Sequence, residues 1–227
     1  YQEKLVRPMV KICEMERGAA EEVIRTVAGM VNKLVTAEQP ILECEWPLDG
    51  SRFAAQIPPI VANPCWAIRK KAIQVFTLKD YVDAGAMTLA QCDVICRGIV
   101  DRKNIVVVGG TSSGKTTLGN AILHHISEVE PDGRLIIIED TGELQSTAHN
   151  KVNFHTTLET SLTQLVRITL RMRPDRVIVG EVRGPEALDL LQVWNTGHPG
   201  GLTTVHANDC VSALNRLKTL VSMHPYA

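Results

Sequence analysis

No stretch of the 227-residue chain is apolar for long enough to span a bilayer. Its longest clean apolar runs, Ile105 to Val108 and Leu135 to Ile138, fall far short of the ~18 to 20 residues required, so nothing crosses a membrane unaided. Net charge is nearly absent too. Twenty-four Lys and Arg against 25 Asp and Glu leave −1 at pH 7, which removes the global positive field expected of a nucleic-acid or anionic-membrane binder, although local patches remain open. No CxxC pair occurs among the six cysteines at 13, 44, 65, 92, 96 and 210. A disulfide framework and a zinc module are therefore disfavoured, and reduced, mostly buried thiols of a cytosolic protein are expected. There is no internal repeat and no low-complexity segment, which excludes a repeat array. The first residue is Tyr1 rather than Met and no signal segment opens the chain, so both termini read as trimmed.

What is present is the composition of a packed protein, 44% apolar and 22% charged, close to the soluble globular average. The length allows one full domain and part of a second. Residues 1–75 read as a smaller α+β N-terminal domain. In it Ala20, Val23, Ile24, Val27 and Val31 recur at helical spacing between Glu16 and Leu34. Residues 41–57 read as a hairpin turning at Asp49-Gly50, and residues 67–76 as a strand. Residues 76–103 read as a linker with helical patterns over 78–84 and 88–100, broken at Gly85. Cys92 and Cys96, four apart, would share a helix face there. From Asn104 to residue 227, short β-branched runs (105–108, 135–138, 177–179, 203–205) alternate with helical stretches. Runs apolar on both faces belong to strands covered on both sides, which predicts an α/β domain around a parallel sheet, Rossmann-like and handling nucleotides.

The run Ile105 to Val108 leads into Gly109, Gly110, Thr111, Ser112, Ser113, Gly114, Lys115, Thr116 and Thr117, and then into a helical pattern. This is GxxxxGK[ST] in the required strand–loop–helix setting; a chance match is on the order of one per cent at average residue frequencies, so a phosphate loop is the reading. Its glycines let successive N–H groups turn toward phosphates at the positive end of a helix. Lys115 would reach the β- and γ-phosphates of ATP, and the Thr116 hydroxyl would ligate Mg²⁺.

Hydrolysis further requires carboxylates. Two apolar runs end in them: Leu135 to Ile138 is followed by Glu139, Asp140 and Glu143, and Val177 to Val179 by Glu181. In open parallel sheets ligands collect at the carboxyl ends of strands. Glu181 is assigned as the water-positioning base, and Glu143, with Glu139 or Asp140 beside it, as the Mg²⁺ group; for each the competing role is a cap or a solvated strand-end carboxylate. His206, ending a further short strand, could sense the γ-phosphate. His124, His125, His149, His155 and His224 read as structural or exposed. Arg171 and Arg173, before Pro174, are explained at least as well by a helix end as by chemistry.

These blocks in this order, GGTSSGKTT (109–117), IIIEDTGEL (136–144), LRMRPDRVIVGEVRG (170–184) and GHPGGLTTVHAND (197–209), resemble the secretion-ATPase superfamily that powers type II and type IV secretion and type IV pili, nearest its conjugal-transfer branch. With RFAAQIPP (52–59), AIRK (67–70) and VFTLKDYVDAG (75–85) the likeness spans about residues 50 to 220. It implies a homohexameric ring, each subunit an N-terminal domain over a RecA-like P-loop domain with ATP or ADP between them. The implied setting is cytoplasmic, peripheral at the inner membrane, beside the membrane components of the apparatus. It further implies that Glu143 and Glu181 serve hydrolysis, that His206 is the His-box residue, and that Arg52 and Arg69 approach the γ-phosphate. Ser112 stands where many relatives have glycine, and the four-cysteine zinc module of type II relatives is absent. A motor enzyme is the reading that follows. Its rivals are a nucleotide-switched assembly subunit that hydrolyses slowly, a RecA-like DNA translocase, disfavoured by near-neutral charge and no aromatic-and-basic stripe, and a small-molecule kinase with no recognisable acceptor pocket.

Overall fold

The computed structural model describes residues 13–70, 75–157 and 159–226. It divides into two compact units, residues 1–71 and 72–227.

The first unit packs helix α1 (Arg17–Met30) on an antiparallel sheet of β1 (Ile41–Glu45), β2 (Arg52–Gln56) and β3 (Cys65–Arg69), in that order. The helix buries Ala20, Ile24, Val27 and Ala28, the 3- and 4-spaced stripe expected of one apolar face. It stops because Asn32 takes φ +54, so that Lys33 N–H reaches the Ala28 carbonyl at 2.8 Å and Asn32 N–H the Gly29 carbonyl at 3.2 Å, the paired bonds that satisfy a helix end. Leu42, Phe53, Ala55 and Ile57 are buried with the α1 stripe. The β1–β2 hairpin turns at Asp49-Gly50, with Ser51 N–H donating to Asp49 Oδ1 at 2.8 Å. The third strand, expected over 67–76, begins at Cys65 because it pairs residue for residue with β2, Cys65 opposite Gln56 and Arg69 opposite Arg52. Residues 71–74 lie outside the described residues.

The second unit is an α/β layer structure around a five-stranded parallel sheet in the order β4 (Ile105–Gly109), β8 (Leu202–His206), β7 (Arg176–Val179), β5 (Leu135–Glu139), β6 (Lys151–His155). Alternate residues of β5 sort to opposite faces, as strand geometry requires. Leu135 and Ile137 meet α2 (Leu78–Asp83), α3 (Leu89–Val100) and α4 (Lys115–Val129) through Leu78, Ile99, Ile122 and Ile126. Ile136 and Ile138 meet α5 (Leu162–Thr169), α6 (Glu186–Asn195) and α7 (Cys210–Ser222) through Val166, Leu190, Val193 and Leu220. All five β5 residues are consequently buried. Residues 76–103, read as a linker, supply α2 and α3 and place Leu78 and Ile99 in this core.

The amino ends of the strands are held by a buried cation. The Arg176 side chain has no exposed surface and donates twice to Glu130, at 2.7 and 3.0 Å, once to the Gly200 carbonyl at 2.9 Å and once to the Ile99 carbonyl at 2.8 Å. Arg102, at φ +53 just past α3, also grips Glu130, at 3.0 and 3.1 Å. Glu130 caps the carboxyl end of α4, where the helix dipole disfavours a negative charge; two guanidiniums offset that penalty. Gly200 is required here: at φ +85, a Cβ would sit 2.5 Å from Arg176 Nη1.

Replacing Arg176 by Met leaves two carbonyls unpaired and Glu130 with Arg102 alone, and a loss of about 2 to 4 kcal/mol in urea unfolding is expected. The Arg176 hydrogen bond holds the Glu130 carboxyl below its ordinary range. The unfolded chain thus takes up this proton first, and the wild type loses this stabilisation as pH falls through the ordinary glutamate range and below. Arg176→Met should flatten that acid limb in unfolding midpoints measured from pH 7 to 3.

Candidate functional site at the carboxyl ends of the strands

Because all five strands run parallel, Gly109 of β4, His206 of β8, Glu139 of β5 and the turn after Val179 of β7 emerge on one edge; Gly109 and His206 are direct register partners. The loop after β4 wraps the start of α4. Ser112 takes φ +58 and Gly114 φ +88; the latter is a left-handed position at the helix N-cap, where glycine carries no Cβ penalty. Ser113 Oγ donates to the Gly110 carbonyl at 2.8 Å. Lys115 Nζ donates to the Gly109 and Gly110 carbonyls at 2.9 and 2.8 Å. Helices α2, α3 and α5 begin with capping boxes on Thr77, Thr88 and Ser161, whereas Gly114 offers α4 no side-chain cap. The first amides of α4 are thereby left to a ligand or to water, with the positive end of the helix dipole behind them.

The acidic segment after β5 faces this helix. Thr116 Oγ1 donates to Glu143 Oε2 at 3.3 Å. The segment is held by two side chains. Glu139, only 5% exposed, accepts the backbone N–H groups of Glu143 and Leu144 at 3.0 and 2.9 Å. Asn120, one turn after Thr116, accepts from Gln145 N–H at 2.8 Å and donates to the Glu143 carbonyl at 3.4 Å. Asp140 turns away from Thr116 toward the Thr156 hydroxyl, 3.0 Å, and Arg183 Nη1, 3.6 Å. Glu181 receives Arg183 Nη2 at 2.6 Å, and hydrogen bonding to Glu181 raises the already high pKa of this guanidinium. His206 is exposed at the end of β8.

The structure therefore brings Lys115, Thr116 and Glu143 together at α4 and pairs Asp140 with Glu181 through Arg183. Glu139 is neither a helix cap nor solvated: it is buried and fastens the non-helical loop after β5. Arg52 and Arg69 lie in the first unit as direct cross-strand partners, with Glu45 opposite Arg52. Asn120 and Arg183 were not singled out by sequence; the available signal was a lone amide at 1% exposure inside an apolar helix run, and an arginine two residues from the candidate base. A surface depression on α1, lined by Gly18, Glu21, Glu22, Arg25 and Thr26, contains none of these residues.

An α/β protein with a five-stranded parallel sheet and a glycine-rich strand-to-helix turn is the class these features define. Residues 12–225 match the family model described as Type II/IV secretion system protein, and the chain belongs to that family. It is 47% identical over 220 residues to the probable conjugal transfer protein TrbB of Sinorhizobium fredii, covering 97% of this chain and 68% of that one. It is 42% identical to the type IV secretion system protein PtlH of Bordetella pertussis, over 87% of this chain and 66% of the relative. Among solved structures it resembles the VirB11 ATPase of the Brucella suis type IV secretion system in complex with sulphate, with TM-score 0.55, 30% identity and coverage of 91% of this chain and 68% of that chain. The ATPase DotB of Legionella pneumophila shares the fold at TM-score 0.64 and 22% identity, with 93% of this chain matching 60% of that one. The chain thus spans about two thirds of the length of these relatives.

Glu139→Ala leaves two inward-facing amides unsatisfied and should cost about 2 to 4 kcal/mol in urea unfolding, with faster hydrogen exchange at the Glu143 and Leu144 amides. Glu139→Gln, which keeps an acceptor oxygen, should cost less than half as much. Equal losses would show that the charge rather than the acceptor geometry matters.

Proposed function

We propose that this chain is an ATP-hydrolysing motor subunit that energises a type IV secretion or conjugal-transfer system. The observation that carries the reading is the convergence of Lys115, Thr116 and Glu143 at the uncapped start of α4. In this reading residues 104–227, with α2 and α3 of residues 76–103 carried alongside, form a RecA-like P-loop domain, and residues 1–75 form the N-terminal domain. The amides of Gly109 to Thr117 cradle the phosphates, and Lys115 exchanges its carbonyl partners for β- and γ-phosphate oxygens.

The donor set suits Mg²⁺. Among the described residues no cluster of three or more His, Cys, Asp or Glu side chains forms a protein cage for a metal, and Mg²⁺ is ordinarily held by one or two protein oxygens plus phosphates and water. Thr116 would hold it directly, with Glu143 behind and Asp140 further out; when bound it neutralises charge on the phosphates. Glu181 orients the attacking water and accepts its proton. His206, register partner of Gly109, reports the γ-phosphate.

A head-to-tail ring, hexameric as the family resemblance implies, would let one interface repeat and close. Only the γ-phosphate would distinguish its open and closed states, so hydrolysis would shift their populations and carry the force. The working place of such a ring is the cytoplasmic face of the inner membrane, against the membrane components of the apparatus. No described helix is long and apolar enough to cross a membrane.

The test is phosphate release by the full chain with ATP and Mg²⁺, beside Lys115→Ala. The variant should lose at least about 100-fold in turnover with an unchanged circular dichroism spectrum. Turnover equal to wild type in Lys115→Ala would overturn the proposal. Tight ATP binding without sustained phosphate release would instead favour a nucleotide-switched assembly subunit.

A further inference from the structure

Glu181 is not alone at the end of β7. Two residues on, Arg183 sends Nη2 to Glu181 Oε2 at 2.6 Å and places Nη1 3.6 Å from Asp140 Oδ2. The guanidinium thus spans the carboxyl ends of two strands, β7 and its neighbour β5. The root of the arginine is fixed as well. Its backbone N–H and that of Gly184 both donate to Glu186 Oε1, at 2.7 and 2.8 Å, and Glu186 is a nearly buried first-turn residue of α6. At its far end Asp140 is tied by the Thr156 hydroxyl at 3.0 Å. The chain of bonds therefore runs from the α6 first turn through Arg183 to Glu181 on one branch, and through Asp140 to the segment after β6 on the other.

We propose that Arg183 is the positioning residue for Glu181. By occupying Oε2 it fixes the rotamer of the carboxylate, so that Oε1 is left to orient water. The inference rests on the reading of Glu181 as the hydrolytic base. Two features favour positioning over a surface ion pair. An exposed pair is ordinarily worth little because both long side chains must be ordered for it. Here the Arg183 side chain is about half exposed, but its backbone is held by Glu186, its partner Asp140 by Thr156, and two carboxylates share the one guanidinium. Moreover, phosphoryl transfer draws most of its acceleration from placement and charge rather than from proton transfer, and a base free to rotate would forfeit placement first.

The role predicts a split in kinetic constants. At saturating ATP and Mg²⁺, Arg183→Ala in the full chain should lower kcat by about 10- to 100-fold and leave KM and the dissociation constant of a fluorescent ATP analogue within about twofold, because Arg183 contacts the base rather than the phosphates. Arg183→Lys, a point cation without the planar fork, should recover part of kcat. The decisive measurement is the double variant. If Arg183 acts through Glu181, Arg183→Ala should cost nothing further in a Glu181→Gln background. Additive losses, an unchanged kcat, or a rise in KM matching the fall in kcat would each overturn the proposal. Glu181→Gln alone separates the two claims: undiminished turnover in that variant means that Glu181 is not the base and both readings fall, whereas a large loss with no effect of Arg183→Ala removes only the role of the arginine.

Discussion

A guanidinium with no exposed surface must find an acceptor for its N–H groups inside the protein, and the second unit is arranged around that demand. Arg176 opens β7, the middle strand, and its acceptors are the last turn of α3, the end of α4 and the loop that enters β8. Four segments remote in sequence are thereby brought to one point at the amino ends of the strands. Such a point costs desolvation, and a buried pair is no guarantee of net stability; its value lies in direction, because planar donors accept few arrangements. With the α4 carboxyl end pinned to the start of β7, the α4 amino end is constrained to lie over the opposite edge of the sheet.

That opposite edge carries the loops with Lys115, Thr116, Glu143 and Glu181, and their placement follows from the pairing. Gly109 faces His206, and Ile138 faces Val179, so strand ends far apart in sequence come level with one another. The loops leaving them need local fastening, since no ladder continues beyond the strands. Glu139 and Asn120 provide it for residues 143–145, and Glu186 for residues 183 and 184. Each fastener is a polar side chain nearly removed from water whose acceptor oxygen is spent on backbone amides, the arrangement that makes such groups affordable.

Signals that rest on local period survive from sequence to structure: the apolar runs 105–108, 135–138 and 177–179 are strands with buried residues, and the glycine-rich block lies between β4 and α4. Helices α2 and α3 were visible as patterns over 78–84 and 88–100; their capping boxes, Thr77 with Asp80 and Thr88 with Gln91, emerge in the structure. Their membership in the second core was not, because burial of Leu78 and Ile99 depends on α4 arriving over them. The same limit explains the site. Lys115 and Thr116 are legible since their neighbours are adjacent in sequence. The separation of Glu139, Asp140 and Glu143 into a loop fastener, an arginine partner and a threonine partner is a matter of which way three nearby side chains turn. His224 is a further case: its burial with Nε2 3.3 Å from Asp189 Oδ2 and 3.1 Å from Arg167 Nη2 joins α5, α6 and the chain past α7, and no local pattern foretells it.

The electrostatic balance of the edge constrains what it can accept. Asp140, Glu143 and Glu181 outnumber Lys115 and Arg183, and both cations are already engaged, Lys115 by two carbonyls and Arg183 by carboxylates. A bare polyanion would gain the α4 amides but meet an edge on which carboxylates outnumber cations, and like charges repel. On the reading proposed above, a polyanion arriving with a divalent cation would reverse the sign of that encounter, because Thr116 and Glu143 would then face positive charge. Lys115 can leave its carbonyls for phosphate oxygens in the same event, exchanging neutral acceptors for charged ones, which form the stronger bonds. On the reading proposed above, the edge would therefore favour metal-bound over free polyphosphate by charge, before any base or sugar is read.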